Sequence, residues 1–129
     1  MKHPIKTIAS LLICLILSGC SSLADTRMAE GTGQKQTFNR DFDVVWRASI
    51  DVLNEMKLPL AEENKSQGYI LAKTGVSFTS YGENIAVFIK KSGANQVAVE
   101  VVSKKVLATT IFAPDWSRDV LQRISARLK

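Results

Sequence analysis

Two runs of β-branched residues constrain this chain most. Ile85, Val87 and Ile89 fall at every second position, and Val97, Val99 and Val101 do so again after the turn-forming Ser92-Gly93-Ala94-Asn95. A period of two sends alternate side chains to opposite faces of a sheet, so the pair reads as a β-hairpin of Asn84–Lys91 with Gln96–Lys105. Both apolar sets share a face only if odd positions pair with odd, which requires an odd loop. A three-residue loop Gly93-Ala94-Asn95, with Asn95 left-handed at its third position, meets that condition. The other face then carries Ala86, Phe88 and Lys90 beside Ala98, Glu100, Val102 and Lys104, with Glu100 marking the solvent side. Phe88 and Val102 do not suit water, and exposed apolar groups on a polar face mark contact sites. They are the candidate partner contacts, together with Tyr81 in the polar, turn-rich stretch 75–83.

The rest of the chain supplies the elements such a hairpin needs. Gln34 to Phe38 suits a short strand, and Asn39 or Asp41 suits a helix cap. Phe42, Val45, Trp46, Ser49/Ile50, Val52/Leu53 and Met56 then form a helical stripe wide enough to face a sheet, and Pro59 stops the helix. Leu60 to Asn64 and Tyr69 to Thr74 read as two strands around Lys65-Ser66-Gln67-Gly68, and Val106 to Phe112 extends the last strand. Asp115 caps a final helix whose buried stripe is Trp116, Val120, Leu121, Ile124 and Leu128. The predicted class is therefore α+β, with an antiparallel sheet of about four to five strands, two helices packed on one face, and the order β-α-β-β-β-β-α. From residue 34 to 129 the chain is long enough for one domain with a single core.

The first twenty residues are of a different kind. Lys2 and Lys6 precede an apolar stretch from Ile8 to Leu17, too short for a hydrocarbon core that needs about 20 apolar residues, and small residues follow. This is the layout of a secretory signal. Leu17-Ser18-Gly19-Cys20 matches the bacterial lipobox, and that resemblance implies recognition of Leu17, Ser18 and Gly19 by a signal peptidase, removal of residues 1–19, and diacylglycerol on the Cys20 thiol. Ser21, next to the lipidated residue, resembles an outer-membrane sorting address. The expected location is the bacterial cell envelope, lipid-anchored at the outer membrane and facing the periplasm. Residues 20–33 hold the lipidated Cys20 and a Ser-, Ala- and Gly-containing stretch without apolar period, expected to be a flexible tether roughly 20 Å across.

Losing the signal removes chemistry as well. Cys14 and His3, the only histidine, go with it, so the mature chain has no imidazole for base catalysis or zinc and no thiol pair for a disulfide. Two of the 17 basic residues leave and all 12 acidic ones stay, which lowers the net charge from +5 to +3. That is too mild to point to nucleic acid. No carboxylate pair stands out, so no catalytic residue, metal site or cofactor is expected beyond the covalent lipid on Cys20.

The run Phe42-Asp43-Val44-Val45-Trp46, followed by Leu53, Leu58 and Gly68-Tyr69-Ile70, resembles the helix-grip domains of small envelope lipoproteins of the BamC type, accessory to the outer-membrane β-barrel assembly machinery. The resemblance implies the fold class. Those proteins tend to have two such domains and a long N-terminal region, where this chain has one domain and a short tether, so no partner or binding residue is carried over. The expected function is a non-enzymatic binding or scaffold module that contacts the membrane through its lipid and an envelope protein through the open sheet face or the 77–83 loop. The alternative is direct binding of an envelope glycan or lipopolysaccharide, with Tyr69, Tyr81 or Trp116 for stacking and Lys90, Lys91, Lys104 and Lys105 for anionic groups.

Overall fold

The alternating runs pair as their period requires. A computed structural model describes residues 22–75, 82–106 and 114–129. Within it β4 (Glu83–Gly93) lies antiparallel to β5 (Gln96–Lys105), with Val87 opposite Val101 and Ile89 opposite Val99, odd against odd. The register is the predicted one, but the loop differs. Gly93 pairs with Gln96 across a two-residue turn Ala94-Asn95, and a bulge between Lys91 and Gly93 supplies the offset assigned above to a third loop residue. Asn95 is not left-handed; among described non-glycine residues only Lys57 has positive φ, at 55°.

Three more strands complete one antiparallel sheet, β1 (Gln34–Phe38), β2 (Leu60–Asn64) and β3 (Tyr69–Lys73), in the order β1-β5-β4-β3-β2. The described residues begin with a short helix, α1 (Leu23–Arg27), followed later by α2 (Phe42–Glu55) and α3 (Trp116–Leu128). The molecule is α+β, with the predicted β-α-β-β-β-β-α order preceded by α1.

The inner sheet face and two helices form the main core. Ile70, Ala72, Ile85, Val87, Ile89, Val97, Val99 and Val101 meet Val45, Trp46, Val52 and Leu53 of α2 and Val120, Leu121, Ile124 and Leu128 of α3. Burial of these side chains stabilises the fold by about 1.5–3 kcal/mol for each large one. Ser49, fully buried in α2, donates to the Val45 carbonyl and so carries no unmet polar group into this layer. Asp115 caps α3 as expected, accepting from the Arg118 N–H. Asp41 occupies the cap position of α2, but its side chain makes no capping bond.

The β2–β3 turn is tightly specified. Asn64 Oδ1 accepts from the Ser66 hydroxyl and the Gln67 N–H, and Gly68 closes the turn at φ +74°. A Cβ on Gly68 would stand 2.3 Å from the Ile89 carbonyl oxygen of β4, and the Ile89 N–H donates to the Gly68 carbonyl at 2.8 Å. Only glycine combines that conformation with that approach. Gly68→Ala is expected to lower stability by about 3 kcal/mol, and the melting temperature by more than about 10 °C. A thermal melt within 2 °C of the parent would contradict this turn geometry.

Candidate functional site

The outer sheet face, expected to be open, is covered. Its side chains form rows across the strands. Leu71, Ala86 and Val102 make one row, and Tyr69, Phe88, Glu100 and Lys35 the next. Left bare, these rows would expose a continuous apolar patch. Residues 22–33 instead fold back over them. Leu23 and Ala29 pack against Tyr69, Leu71, Ala86, Phe88 and Val102 in a second core, which leaves Phe88 and Val102 each only 4% exposed. Both are therefore removed as surface contacts, and the stretch expected to be a flexible tether is a docked strap. Tyr81 lies outside the described residues, as do Leu17, Ser18, Gly19, Cys20 and Ser21.

Local chemistry explains why the strap folds. Ser22 and Asp25 form a reciprocal capping box: Ser22 Oγ accepts from the Asp25 N–H, and the Ser22 N–H donates to Asp25 Oδ2 at 2.7 Å. That backbone bond, with the Ser22 hydroxyl, holds the Asp25 carboxyl below its usual range. Arg27 lies over the Tyr69 ring, 5.8 Å from its centroid, and pairs with Glu62 at 3.7 Å, while Glu62 accepts from the Tyr69 hydroxyl. Farther along, Glu30 pairs with Lys90.

The principal anchor is Glu100. It is 3% exposed, opposite to its expected place on the solvent side, and its Oε1 accepts from the Gly31 and Gly33 N–H groups at 2.7 and 2.8 Å. Lys35 approaches Oε2 at 3.5 Å. A carboxylate with two backbone donors and a cation is a satisfied buried charge. Gly33 permits the approach, since a Cβ there would stand 2.3 Å from the Val101 carbonyl oxygen.

The exposed concavity is at the far end of the sheet, where three local elements converge. A groove of about 640 Å³ is walled by the β2–β3 turn (Lys65, Gln67), the end of β4 (Lys90, Lys91) and Phe42 of α2. A second depression of about 420 Å³ shares Phe42 and Lys91 and continues past Arg40, Asp41, Asp43 and Arg47 to the β4–β5 turn. Phe42 is held by stacking on Trp46, centroids 5.9 Å apart. Lys65 bonds Asp43 at 2.9 Å, tying the turn to the helix start and holding the Asp43 carboxyl below its usual range. The groove thus has an aromatic floor and a rim on which cations outnumber anions. Sequence reasoning missed it, because its three wall segments lie far apart in the chain and no pattern in the sequence links them.

Of the residues grouped above for glycan binding, the described ones do not converge. Tyr69 is buried, Trp116 packs against the main core, and Lys90 and Lys91 are at the opposite end of the hairpin from Lys104 and Lys105. Two acidic side chains do share a depression of about 220 Å³, Glu83 and Asp115. Asp115 is committed to capping α3, and the Ser117 hydroxyl holds its carboxyl low, the reverse of what a general acid needs. Buried Glu83 accepts from Ser103 through Oε2. Among the described residues no group of three or more His, Cys, Asp or Glu is placed to hold a metal ion, and no helix is long and apolar enough to cross a membrane.

No family model matches the chain, and no curated protein matches it.

Glu100→Ala removes the acceptor for both strap N–H groups, each bond to a charged group contributing about 1.5–3 kcal/mol. Hydrogen exchange in residues 22–33 is expected to accelerate about 100-fold, corresponding to about 3 kcal/mol, while exchange in β4 changes much less. Equal exchange in the strap before and after the substitution would show that the carboxylate does not hold it.

Proposed function

We propose that the chain is a lipid-anchored protein of the bacterial cell envelope, carried on the periplasmic face of the outer membrane, and that it acts as a non-enzymatic binding or scaffold module. The observation that carries this reading is the continuity between lipobox and fold. The capped strap begins at Ser22, two residues after Cys20, and covers an apolar sheet face. A domain built onto the residue that receives the lipid suits an anchored role. Each buried CH₂ of an acyl chain contributes about 0.8 kcal/mol, so two or more chains hold such a domain stably.

The contact site for an envelope protein is the groove around Phe42, at the end of the sheet away from Ser22. It replaces the Phe88 and Val102 face, whose burial removes it from that role. The glycan alternative draws less support, because Tyr69 and Trp116 are packed inward and its lysines are divided between the two ends.

Labelling with a clickable palmitate analogue is expected to mark the wild-type chain in the membrane fraction. The Cys20→Ala chain is expected to lose the label and keep the length of the precursor; a Cys20→Ala chain that still carries the label would refute the anchor. For the groove, a photo-cross-linking residue at Ser66 should capture a discrete envelope protein in cells. Gln67→Glu with Lys91→Glu should abolish that product without altering the melting temperature. Persistence of the product in the double variant would place the contact elsewhere.

A further inference from the structure

We propose that Lys73 and Lys104 form a membrane-contact surface, lying against anionic phospholipid headgroups and standing the domain upright on the bilayer. The proposal rests on acylation of Cys20 and names the surface and the lipid that the anchored domain meets.

The register sets the row. Lys73 pairs with Asn84 and Asn84 with Lys104, so the two lysines flank Asn84 on the outer face, one row beyond Leu71, Ala86 and Val102. The strap packs on the apolar rows, and Asn84 between the two lysines is itself buried, at 5% exposed. Lys73 remains exposed and Lys104 half-exposed. Lys105, the next residue of β5, stands at the same end on the inner face.

The direction of α1 places the lipid there. Leu23 and Ala24 lie by Leu71, Arg27 lies over Tyr69, and Glu30 reaches Lys90, so the strap runs from the Lys73 end toward the far groove. Asp25 is close enough to Lys104 to feel its charge, but its carboxylate is turned to the Ser22 N–H and hydroxyl. With the capping box fixing Ser22, one residue separates the fold from Cys20, and two residue steps span at most about 7 Å. Ser22 is thus held close to a lipid on Cys20, and Asp25, bonded to Ser22 and within the field of Lys104, puts that lysine at the same end of the sheet as the lipid. Each basic side chain at an anionic leaflet strengthens binding by about fivefold. The opposite end of β4, ten residue steps away, is then held roughly 30 Å above the surface with its groove facing the periplasm.

The mature acylated protein offers a clean test, because it has no free thiol once Cys14 leaves with the signal and Cys20 carries lipid. A nitroxide is placed at Gly75→Cys, where an added Cβ meets nothing within 4 Å, or at Ala94→Cys in the β4–β5 turn. Each labelled protein is reconstituted in phosphatidylethanolamine–phosphatidylglycerol vesicles or in phosphatidylcholine vesicles, and relaxation by a lipid-borne paramagnet is measured. With phosphatidylglycerol the Gly75 label is expected to relax more strongly than the Ala94 label. The ratio of the two is expected to drop in phosphatidylcholine and in the Lys73→Glu/Lys104→Glu variant, whose melting temperature is checked against the parent. Equal relaxation at both ends, or a ratio indifferent to lipid charge or to the double reversal, overturns the proposal. Mass spectrometry that finds Cys20 without lipid overturns the anchoring reading itself, and the proposal with it.

Discussion

The carboxylate of Glu100 is buried beside the apolar patch of the outer sheet face, and the outer half of the structure follows from what it requires. A charge removed from water costs several kcal/mol unless its lone pairs are met. On one row of the sheet Glu100 has Phe88 on one side and Lys35 on the other. Lys35 reaches only one carboxylate oxygen. The other is met from above by Gly31 and Gly33, which only a chain crossing the face can supply. The strap that satisfies the charge also brings Leu23 and Ala29 over Phe88, Leu71 and Val102, so polar satisfaction and apolar burial are achieved by the same twelve residues.

The two faces of the sheet are consequently held by different means. Inside, Val and Ile from three strands interlock with two amphipathic helices, chiefly through dispersion and burial. Outside, a five-residue helix too short to persist by itself is fixed by one capping box, one buried carboxylate and ion pairs at Arg27 and Glu30. The inner layer is therefore the cooperative unit and the outer layer a local attachment that opens at lower free energy.

Strand alternation was legible because each Val or Ile faces one continuous core, and helix α2 because Trp46, Ser49 and Leu53 recur at helical spacing. Asp115 was legible because a cap acts within one turn. The strap was not, for two reasons. Five residues cannot display a helical period, and LADTR is largely polar. Yet two signals were present: Ser22 and Asp25 have capping-box spacing, and Phe88, Val102, Leu71 and Tyr69 together left an apolar area on a face that was assumed to meet water. Reading Glu100 as a mark of solvent hid the demand for a cover; a carboxylate beside Phe88 calls for donors as readily as for water. The groove was illegible for another reason. Phe42, Lys65 and Lys91 meet only because the α2 start, the β2–β3 turn and the β4–β5 hairpin end at the same edge, which is a property of topology.

Docking the strap changes what an N-terminal anchor does to the domain behind it. A coil of a dozen residues would leave the domain free to turn above the bilayer, with either end or either face toward the lipid. With Ser22 bonded to Asp25 and Gly31 and Gly33 bonded to Glu100, the same residues become part of the folded body, and rotation is confined to the link at Ser21. The two properties cannot be varied separately. A full release of the strap, at Glu100 and at Leu23 and Arg27 together, would lengthen the link to Cys20 and uncover Phe88. In the proposed anchored form, the apolar face is thus reachable only by a domain that has moved away from the membrane, whereas the groove at Phe42 is presented while the strap is closed.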